Sequence, residues 1–254
     1  MVADACFAAR PSDIIVATLP KSGTTWIKSL LYATVHRREH PVDAIDHPLT
    51  SFGPHSCIKF FEYQLYTRNK IPDLDKLPDP RLFATHVPFV SLPRSIATSG
   101  CKIVYMCREI AENIVSRWRR PSGCSATACR RSGPTLDHVL GYWRAQVARP
   151  EHVLFFMYEE VWRDPPGYVR RLAAFTGLPF DVEEEEENGV VDAIVRLCLV
   201  RTLGNSSFFR RGGVGDWAHL SPDSARRIDA ITEARFKGVR PQRLDREQCY
   251  ILCV

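Results

Sequence analysis

The sequence has no long hydrophobic run. No apolar stretch reaches the roughly 18 to 20 residues that a membrane-spanning helix needs. The N-terminal segment MVADACFAARPSD also lacks the continuous apolar centre of a secretory leader. We therefore expect a soluble, cytoplasmic protein that is neither secreted nor anchored to a membrane.

Patterns for binding metals and nucleic acids are missing as well. The nine cysteines include no CxxC pair, and no group of histidines and cysteines has the spacing of a zinc site. We therefore expect no metal, and free thiols in a reducing compartment. The net charge is only +5, and the Lys and Arg residues are spread along the chain, so we expect no nucleic-acid partner. Small anionic ligands are compatible with this charge.

The length and the pattern of apolar residues indicate the fold class. A chain of 254 residues lies near the upper limit for one hydrophobic core, and we expect residues 1–254 to form a single domain. Apolar runs typical of buried strands alternate with helical patterns, which indicates an α/β fold with a central parallel sheet flanked by helices. The predicted strands are Ile14–Leu19, Arg81–Thr85, Lys102–Met106 and Val153–Tyr158.

Helices and long loops are predicted between and after these strands. One helix carries the apolar pattern from Leu136 to Val147, a second follows Pro166 and is closed by Gly177, and a third follows the glutamates at 183–187. Residues 36–80 are rich in Pro, His and Asp, which predicts long surface segments, with room for one helix, of the kind that shape a substrate mouth. Residues 119–134 are small, polar and rich in helix breakers, which predicts a mobile loop.

A short loop follows the first predicted strand and precedes a helical pattern. It contains Lys21, Ser22, Gly23, Thr24 and Thr25. The N-terminus of a helix presents unpaired N–H groups and a partial positive charge, to which this loop adds one ammonium group and three hydroxyl groups. Such a loop is suited to binding phosphate, although an ordinary loop with a surface lysine is the plain alternative.

A nucleoside-triphosphate P-loop is the best-known alternative for a phosphate loop of this kind. That motif requires G-x-x-x-x-G-K followed by Ser or Thr. Here Lys21 precedes Gly23 and no upstream glycine is present. A magnesium-dependent kinase of the P-loop type is therefore not supported.

Three further places carry candidate side chains. His86 follows a predicted strand, at the edge of the sheet where open α/β proteins bind ligands, and a neutral imidazole is suited to general-base catalysis. Arg108 follows the next strand, and Ser116 lies eight residues later in a helical pattern. Taken alone, these residues could equally be a surface histidine, a salt-bridged arginine and a solvent-facing serine. Near the C-terminus, FFRRGGVGDW at 208–217 could wrap a phosphate or form a flexible basic turn.

Several of these segments resemble the soluble sulfotransferases, which use 3′-phosphoadenosine 5′-phosphosulfate (PAPS) as sulfuryl donor. PKSGTTW at 20–26 is similar to their 5′-phosphosulfate loop, and Ala84, Thr85 and His86 resemble the Ala-Thr-His of plant-type members. The segment RRGGVGDW resembles their Arg-Lys-Gly and Gly-Asp-Trp motif, with Arg211 in place of Lys. HVLGYWRAQVARPEHVLFFMYEEVWRDP at 138–165 is typical of the plant-type cytosolic members, and the similarity covers nearly the whole chain.

The resemblance implies a role for each candidate residue. His86 would be the general base, Lys21 would contact the phosphosulfate and steady the leaving phosphate, Trp26 would lie against adenine, and Tyr158 would line the nucleotide site. For Trp26 a place in the core, and for Tyr158 a place at the boundary of the core, remain the alternatives. The implied nucleotide-binding residues are Lys21, Ser22, Gly23, Thr24, Thr25, Trp26, Arg108, Ser116, Tyr158, Arg210, Arg211 and Gly212.

The implied reaction moves a sulfuryl group to a small hydroxylated acceptor of phenolic, flavonoid or steroid-like type, without a metal. We expect a monomer, because residues 218–226 lack the Lys, Val and Glu pattern of dimeric relatives. Three departures from the family pattern leave an alternative open, a relative that binds the nucleotide without turnover. The segment before the first strand and the segment after Trp118 are short, and Leu199 and Val200 stand where relatives have Ser and Phe.

Overall fold

The structure is a computed structural model, and it describes residues 6–66, 72–109, 132–184 and 188–199 and scattered positions between 223 and 234. Several predictions lie outside these residues. They are Ser116, Val200, Arg210, Arg211, Gly212, most of residues 218–226, and the shortened segment after Trp118 with the predicted mobile loop up to residue 131.

A parallel sheet forms the centre of the described chain. Its strands are β1 (Ile14–Thr18), β2 (Lys59–Phe60), β3 (Leu82–Thr85), β4 (Lys102–Cys107) and β5 (Val153–Met157), in the spatial order β2-β3-β1-β4-β5. Every pair of neighbouring strands is parallel. This confirms the predicted α/β fold with a central parallel sheet.

Helices lie between these strands and follow the last of them. The α-helices are α1 (Thr24–Val35), α2 (Pro48–Ser51), α3 (Pro54–Cys57), α4 (Arg94–Thr98), α5 (Ser132–Ala148), α6 (Tyr158–Arg163), α7 (Pro165–Thr176) and α8 (Val190–Leu197). A π-helix spans Phe61–Leu65 and a 3₁₀-helix spans Phe89–Ser91.

Helices cover both faces of the sheet, which is why the central strands are continuous apolar runs. Successive residues of β1 point to opposite faces. Ile15 and Ala17 pack in one core cluster, which includes residues of α5, whereas Ile14 and Val16 pack in the other cluster, which includes residues of α1, α7 and α8. The whole of β1 is buried. The strand is therefore fixed from both sides, and so is the position of the loop that follows it.

Two predictions about the long loops were wrong in part. Residues 36–80 contain two short α-helices, the strand β2 and a π-helix in place of one helix. Helix α5 begins at Ser132, so the last three residues of the predicted loop at 119–134 are helical. The C-terminal end of α7 agrees with expectation, because Gly177 adopts a left-handed conformation and its N–H bonds to the carbonyls of Ala173 and Ala174.

A buried ion pair holds the beginning of β1 against the beginning of β3. Arg81 donates from Nε to Asp13 Oδ1 at 2.7 Å and from Nη2 to Asp13 Oδ2 at 2.6 Å. Its Nη2 also donates to the carbonyl of Ala8 at 2.9 Å. Both charged side chains are almost completely buried. The bidentate geometry satisfies the guanidinium and the carboxylate together.

We expect Asp13→Ala to lower the free energy of unfolding by about 3–5 kcal/mol, because it leaves the Arg81 charge buried without its carboxylate. Urea denaturation measures the loss. Asp73→Ala is the control, since Asp73 pairs with Lys76 on the surface and such pairs contribute about 1 kcal/mol or less. Equal losses in the two variants would contradict this account of the Asp13 pair.

Candidate functional site

The strand order brings four loops to one edge of the sheet. The chain leaves β1 and builds β2 and β3 on one side of it, then crosses to build β4 and β5 on the other side. Such a reversal opens a crevice at the carboxyl ends of the strands. The loop at 21–23, His86, Arg108 and Tyr158 directly follow or closely follow β1, β3, β4 and β5. The sheet therefore brings together the candidate residues that come after its four longer strands.

The loop after β1 has an unusual backbone. Lys21 has a φ of 71° and Gly23 a φ of 85°, both in the left-handed region. A Cβ atom on Gly23 would lie 2.5 Å from Cδ2 of Tyr158, so the position also demands glycine for space. Lys21 is exposed at the turn whereas Ser22 is buried. The loop thus presents the lysine to solvent and packs its backbone against the residue that follows β5.

Helix α1 begins directly after this loop. Gly23 is its N-cap residue and provides no side-chain hydrogen bond to the first turn. Glycine has no side chain that could cap the N–H groups of the first turn. The positive end of the helix dipole faces the loop. This arrangement is suited to an anion held between α1 and Lys21.

His86 is held at three points by its surroundings. Its Nδ1 lies 2.8 Å from the carbonyl oxygen of Thr18, its backbone N–H donates to Glu62 Oε1 at 2.7 Å, and its backbone carbonyl lies 3.2 Å from Nε2 of His138. The imidazole also packs against Phe60, with ring centres 4.7 Å apart. Both the backbone and the ring of His86 are therefore fixed.

These contacts determine which nitrogen of His86 carries the proton. A carbonyl oxygen can only accept, so Nδ1 of a neutral His86 must be the protonated nitrogen that donates to Thr18. The lone pair of the imidazole is then on Nε2. A histidine in this tautomer can take a proton at Nε2 while the Thr18 carbonyl stabilises the imidazolium that results.

His138 holds the His86 backbone by a hydrogen bond. Its Nε2 is the donor to the His86 carbonyl, and its Nδ1 lies 3.0 Å from the hydroxyl of Tyr105. Burial lowers the pKa of His138 to about 4, so the ring is neutral at neutral pH. Neutral His138 therefore acts as a fixed donor that does not compete for a proton with His86.

Thr18 links the first turn of α1 to His86. Its hydroxyl lies 2.8 Å from the hydroxyl of Thr24 and 3.3 Å from Nδ1 of His86. The same residue offers its carbonyl to His86. Sequence reasoning missed Thr18, Glu62 and His138. The only signal for Thr18 was its place at the end of a buried strand. Glu62 and His138 gave no local signal, because they lie 24 and 52 residues from His86 along the chain.

Arg108, Tyr158 and Glu159 form the other side of the crevice. The Arg108 guanidinium lies 4.8 Å from the ring centre of Tyr158, and its Nε lies 3.8 Å from Glu159 Oε1. The ring of Tyr158 also meets Trp26 edge-on, with centres 5.4 Å apart. Tyr158 therefore connects the loop after β1 to the arginine after β4. Trp26 is buried among core residues. A core position was the alternative to a role at adenine for this residue.

Glu159 is a buried acid that sequence reasoning also missed. Burial raises its pKa from the ordinary value of 4.5 to about 7, although the Glu109 N–H and Arg108 partly oppose this. Its Oε1 accepts from the Glu109 N–H at 3.1 Å. Above a pH of about 7, the ionised carboxylate beside Arg108 would offset the positive charge that an anion meets there.

We expect Glu159 to make the protein less stable as the pH rises from about 4.5 to about 7. In that interval the unfolded chain has released the Glu159 proton and the folded protein retains it, so folding is favoured at the lower pH. Urea denaturation of wild type and Glu159→Gln at pH 5 and pH 8 measures this. From pH 5 to pH 8, the stability of the variant should increase relative to that of wild type. An unchanged difference between the proteins would show that Glu159 is ionised throughout.

The residues that the structure describes contain neither a metal-binding cluster nor a membrane-spanning helix. No group of three or more His, Cys, Asp or Glu side chains among them is arranged to hold a metal ion. Within the same residues, no helix combines the length and the apolar character that crossing a membrane requires.

Residues 11–240 match the family model described as "Sulfotransferase domain". Cytosolic sulfotransferase 1 of Arabidopsis thaliana is 39% identical, over 91% of this chain and 81% of its own length. Cytosolic sulfotransferase 5 of the same plant is 40% identical, over 91% and 82%. These names agree with the expected cytoplasmic location.

Solved structures give the same result for the fold. A crystal structure of an Arabidopsis thaliana protein assigned as a steroid sulphotransferase has a TM-score of 0.76 at 36% identity, over 93% of this chain and 80% of that one. The mouse sulfotransferase SULT7A1, solved with PAP, has a TM-score of 0.70 at 22% identity, over 93% and 87%. The second similarity concerns the fold alone.

Proposed function

The chain belongs to the sulfotransferase family, and we propose that it transfers a sulfuryl group from PAPS to a hydroxyl group of a small phenolic, flavonoid or steroid-like acceptor. The observation that carries this proposal is the geometry around Thr18. One residue hydrogen-bonds both to the loop suited to phosphate and to the histidine suited to be a base. The donor and the acceptor of a transfer reaction would meet at such a junction.

The nucleotide would lie across the carboxyl edge of the sheet. Lys21, the N-terminus of α1 and the hydroxyl groups of Thr24 and Thr25 would bind the 5′-phosphosulfate. Arg108, nearly buried beside Tyr158, would bind the 3′-phosphate. We further propose that Ser116, Arg210, Arg211 and Gly212, which lie outside the described residues, complete that second phosphate site.

The reaction would be an in-line displacement at sulfur. His86 would take the proton of the acceptor hydroxyl on Nε2, the oxygen would form a bond to sulfur, and the bond from sulfur to the 5′-phosphate oxygen would break. Lys21 would neutralise the charge that grows on that leaving oxygen. Position and electrostatic stabilisation supply the rate in such a transfer, and no group in this scheme requires a metal.

Aromatic side chains beside His86 support an aromatic or steroid-like acceptor. Phe60 contacts the imidazole, and Tyr63 lies 6.2 Å from it between ring centres. The Tyr63 side chain is 64% exposed, so its face is open to a ligand. The relative assigned as a steroid sulphotransferase is 36% identical to this chain, which also supports this class of acceptor.

A relative that binds the nucleotide without turnover is the second candidate. The feature in its favour is Val200, which stands where relatives carry the phenylalanine that helps to hold adenine and which lies outside the described residues. A base–aromatic stack contributes about 1–3 kcal/mol to binding, so the loss of one aromatic face would weaken nucleotide binding by a similar amount.

Turnover of PAPS with a panel of phenols, flavonoids and sterols tests the function, and His86→Asn tests its mechanism. We expect the variant to lose about 10²- to 10⁴-fold in kcat, the usual contribution of a general base, and to keep its affinity for PAP. His152→Asn is the control, because His152 immediately precedes β5 and so lies at the opposite edge of the sheet.

Three results are informative. Turnover that depends on His86 and not on His152 supports the enzyme. Binding of PAP without turnover on any acceptor would support the second candidate. A wild-type protein that binds no PAP would contradict both.

A further inference from the structure

A buried lysine and a histidine lie next to the first turn of α1. Lys28 is fully buried in α1, one turn after Thr24 and Thr25. Its Nζ lies 3.2 Å from Nδ1 of His55 and 2.9 Å from the carbonyl of Ile58. On the other side of the imidazole, Nε2 of His55 lies 3.2 Å from the hydroxyl oxygen of Thr25. The three side chains form a continuous hydrogen-bonded row, Lys28 to His55 to Thr25.

The row has a direction when Lys28 is charged. An ammonium group has no lone pair, so Nζ must donate to both the Ile58 carbonyl and Nδ1 of His55. His55 is then a neutral ring with its proton on Nε2, which donates to the Thr25 oxygen. Because that oxygen already accepts from His55, the Thr25 proton is turned away from the row and is available for another acceptor.

The surroundings favour a neutral His55 and permit a charged Lys28. Burial, the Lys28 charge and His86 together lower the pKa of His55 to about 4. Burial lowers the pKa of Lys28 to about 7, and the nearby Glu62 carboxylate opposes this. Lys28 Nζ also lies 3.4 Å from the ring centre of Phe60, a cation–π contact that favours the ammonium form. A bound phosphate would favour it further.

Stability alone does not account for a buried ammonium group at this position. A methionine of similar shape would fill the space without the cost of removing a charge from water. The lysine is therefore better explained by what it does to His55 and to the loop.

We propose that Lys28 and His55 are positioning residues that orient the Thr25 hydroxyl so that it donates its proton to the 5′-phosphate of the bound nucleotide. This inference rests on the proposed function, since it requires a nucleotide phosphate at the loop. Neither residue contacts the nucleotide in this scheme. Both would act on nucleotide affinity through Thr25.

A double-mutant cycle on PAP affinity tests the proposal. Isothermal titration calorimetry at pH 6.5 should show that His55→Phe, Lys28→Met and Thr25→Val each raise the Kd for PAP roughly 10- to 100-fold, the value of one hydrogen bond to a charged group. In the Thr25→Val background, His55→Phe should change the Kd less than twofold, because the hydroxyl that it orients is already gone. His55→Gln, whose amide can still donate to Thr25, should restore most of the affinity.

Ser29→Ala is the matched control. Ser29 donates its hydroxyl proton to the Thr25 carbonyl at 2.9 Å, so this variant loosens the same turn of α1 without affecting the Thr25 hydroxyl. Its Kd should stay within twofold of the wild-type value. A similar loss for Ser29→Ala and His55→Phe, or full additivity of His55→Phe with Thr25→Val, would overturn the proposal in favour of a general loosening of the helix.

The tautomer of His55 gives a second readout that needs no nucleotide. The ¹⁵N chemical shifts of the wild-type protein at pH 6.5 should show Nε2 protonated and Nδ1 as the acceptor. A proton on Nδ1 would overturn the proposal even if the protein binds PAP and turns over. If the wild-type protein binds no PAP, the proposed function and this inference fall together, whereas unchanged affinities in the Lys28 and His55 variants overturn this inference alone.

Discussion

The hydrogen bonds of Thr18 are the constraint on which the candidate site depends. The residue ends β1, is completely buried, and bonds through its carbonyl to His86 and through its hydroxyl to Thr24. Because the carbonyl can only accept, it fixes the tautomer of His86 and leaves the basic lone pair on Nε2. Because the hydroxyl meets Thr24, the base cannot move relative to the first turn of α1 without breaking this link. The position of the proposed base is therefore fixed relative to the position of the proposed phosphate site.

The sheet topology explains why such a junction can exist. β1 lies between β3 and β4, so the loops that follow these three strands open at the same edge. The core clusters on both faces hold the strands in place, and the Asp13 and Arg81 pair fixes β1 to β3 at the opposite end. The side chains at the carboxyl edge are thus carried by rigid elements, which is the condition for catalysis by positioning.

Much of the fold could be predicted from the sequence because it is encoded locally. Buried parallel strands are continuous apolar runs, and the four longer strands were predicted within one residue at each end. Strand β2 was missed because two residues are too short for a pattern. The charged neighbours of the site were also missed. Glu62 and Glu159 have their roles through contacts with His86 and Arg108, which are distant in sequence. The sequence pattern around Lys28 is that of a surface lysine on an amphipathic helix, and only the structure shows His55 beside it. The roles of Ser116, Arg210, Arg211 and Gly212 stay predictions from the resemblance.

A crystal structure of the protein with PAP and a phenol tests the central claim most directly. The account predicts the 5′-phosphate against the loop at 21–25, the 3′-phosphate at Arg108, and the acceptor hydroxyl within hydrogen-bonding distance of Nε2 of His86 while Nδ1 still donates to Thr18. A nucleotide bound away from the carboxyl edge of the sheet, or an acceptor that approaches Nδ1, would contradict it.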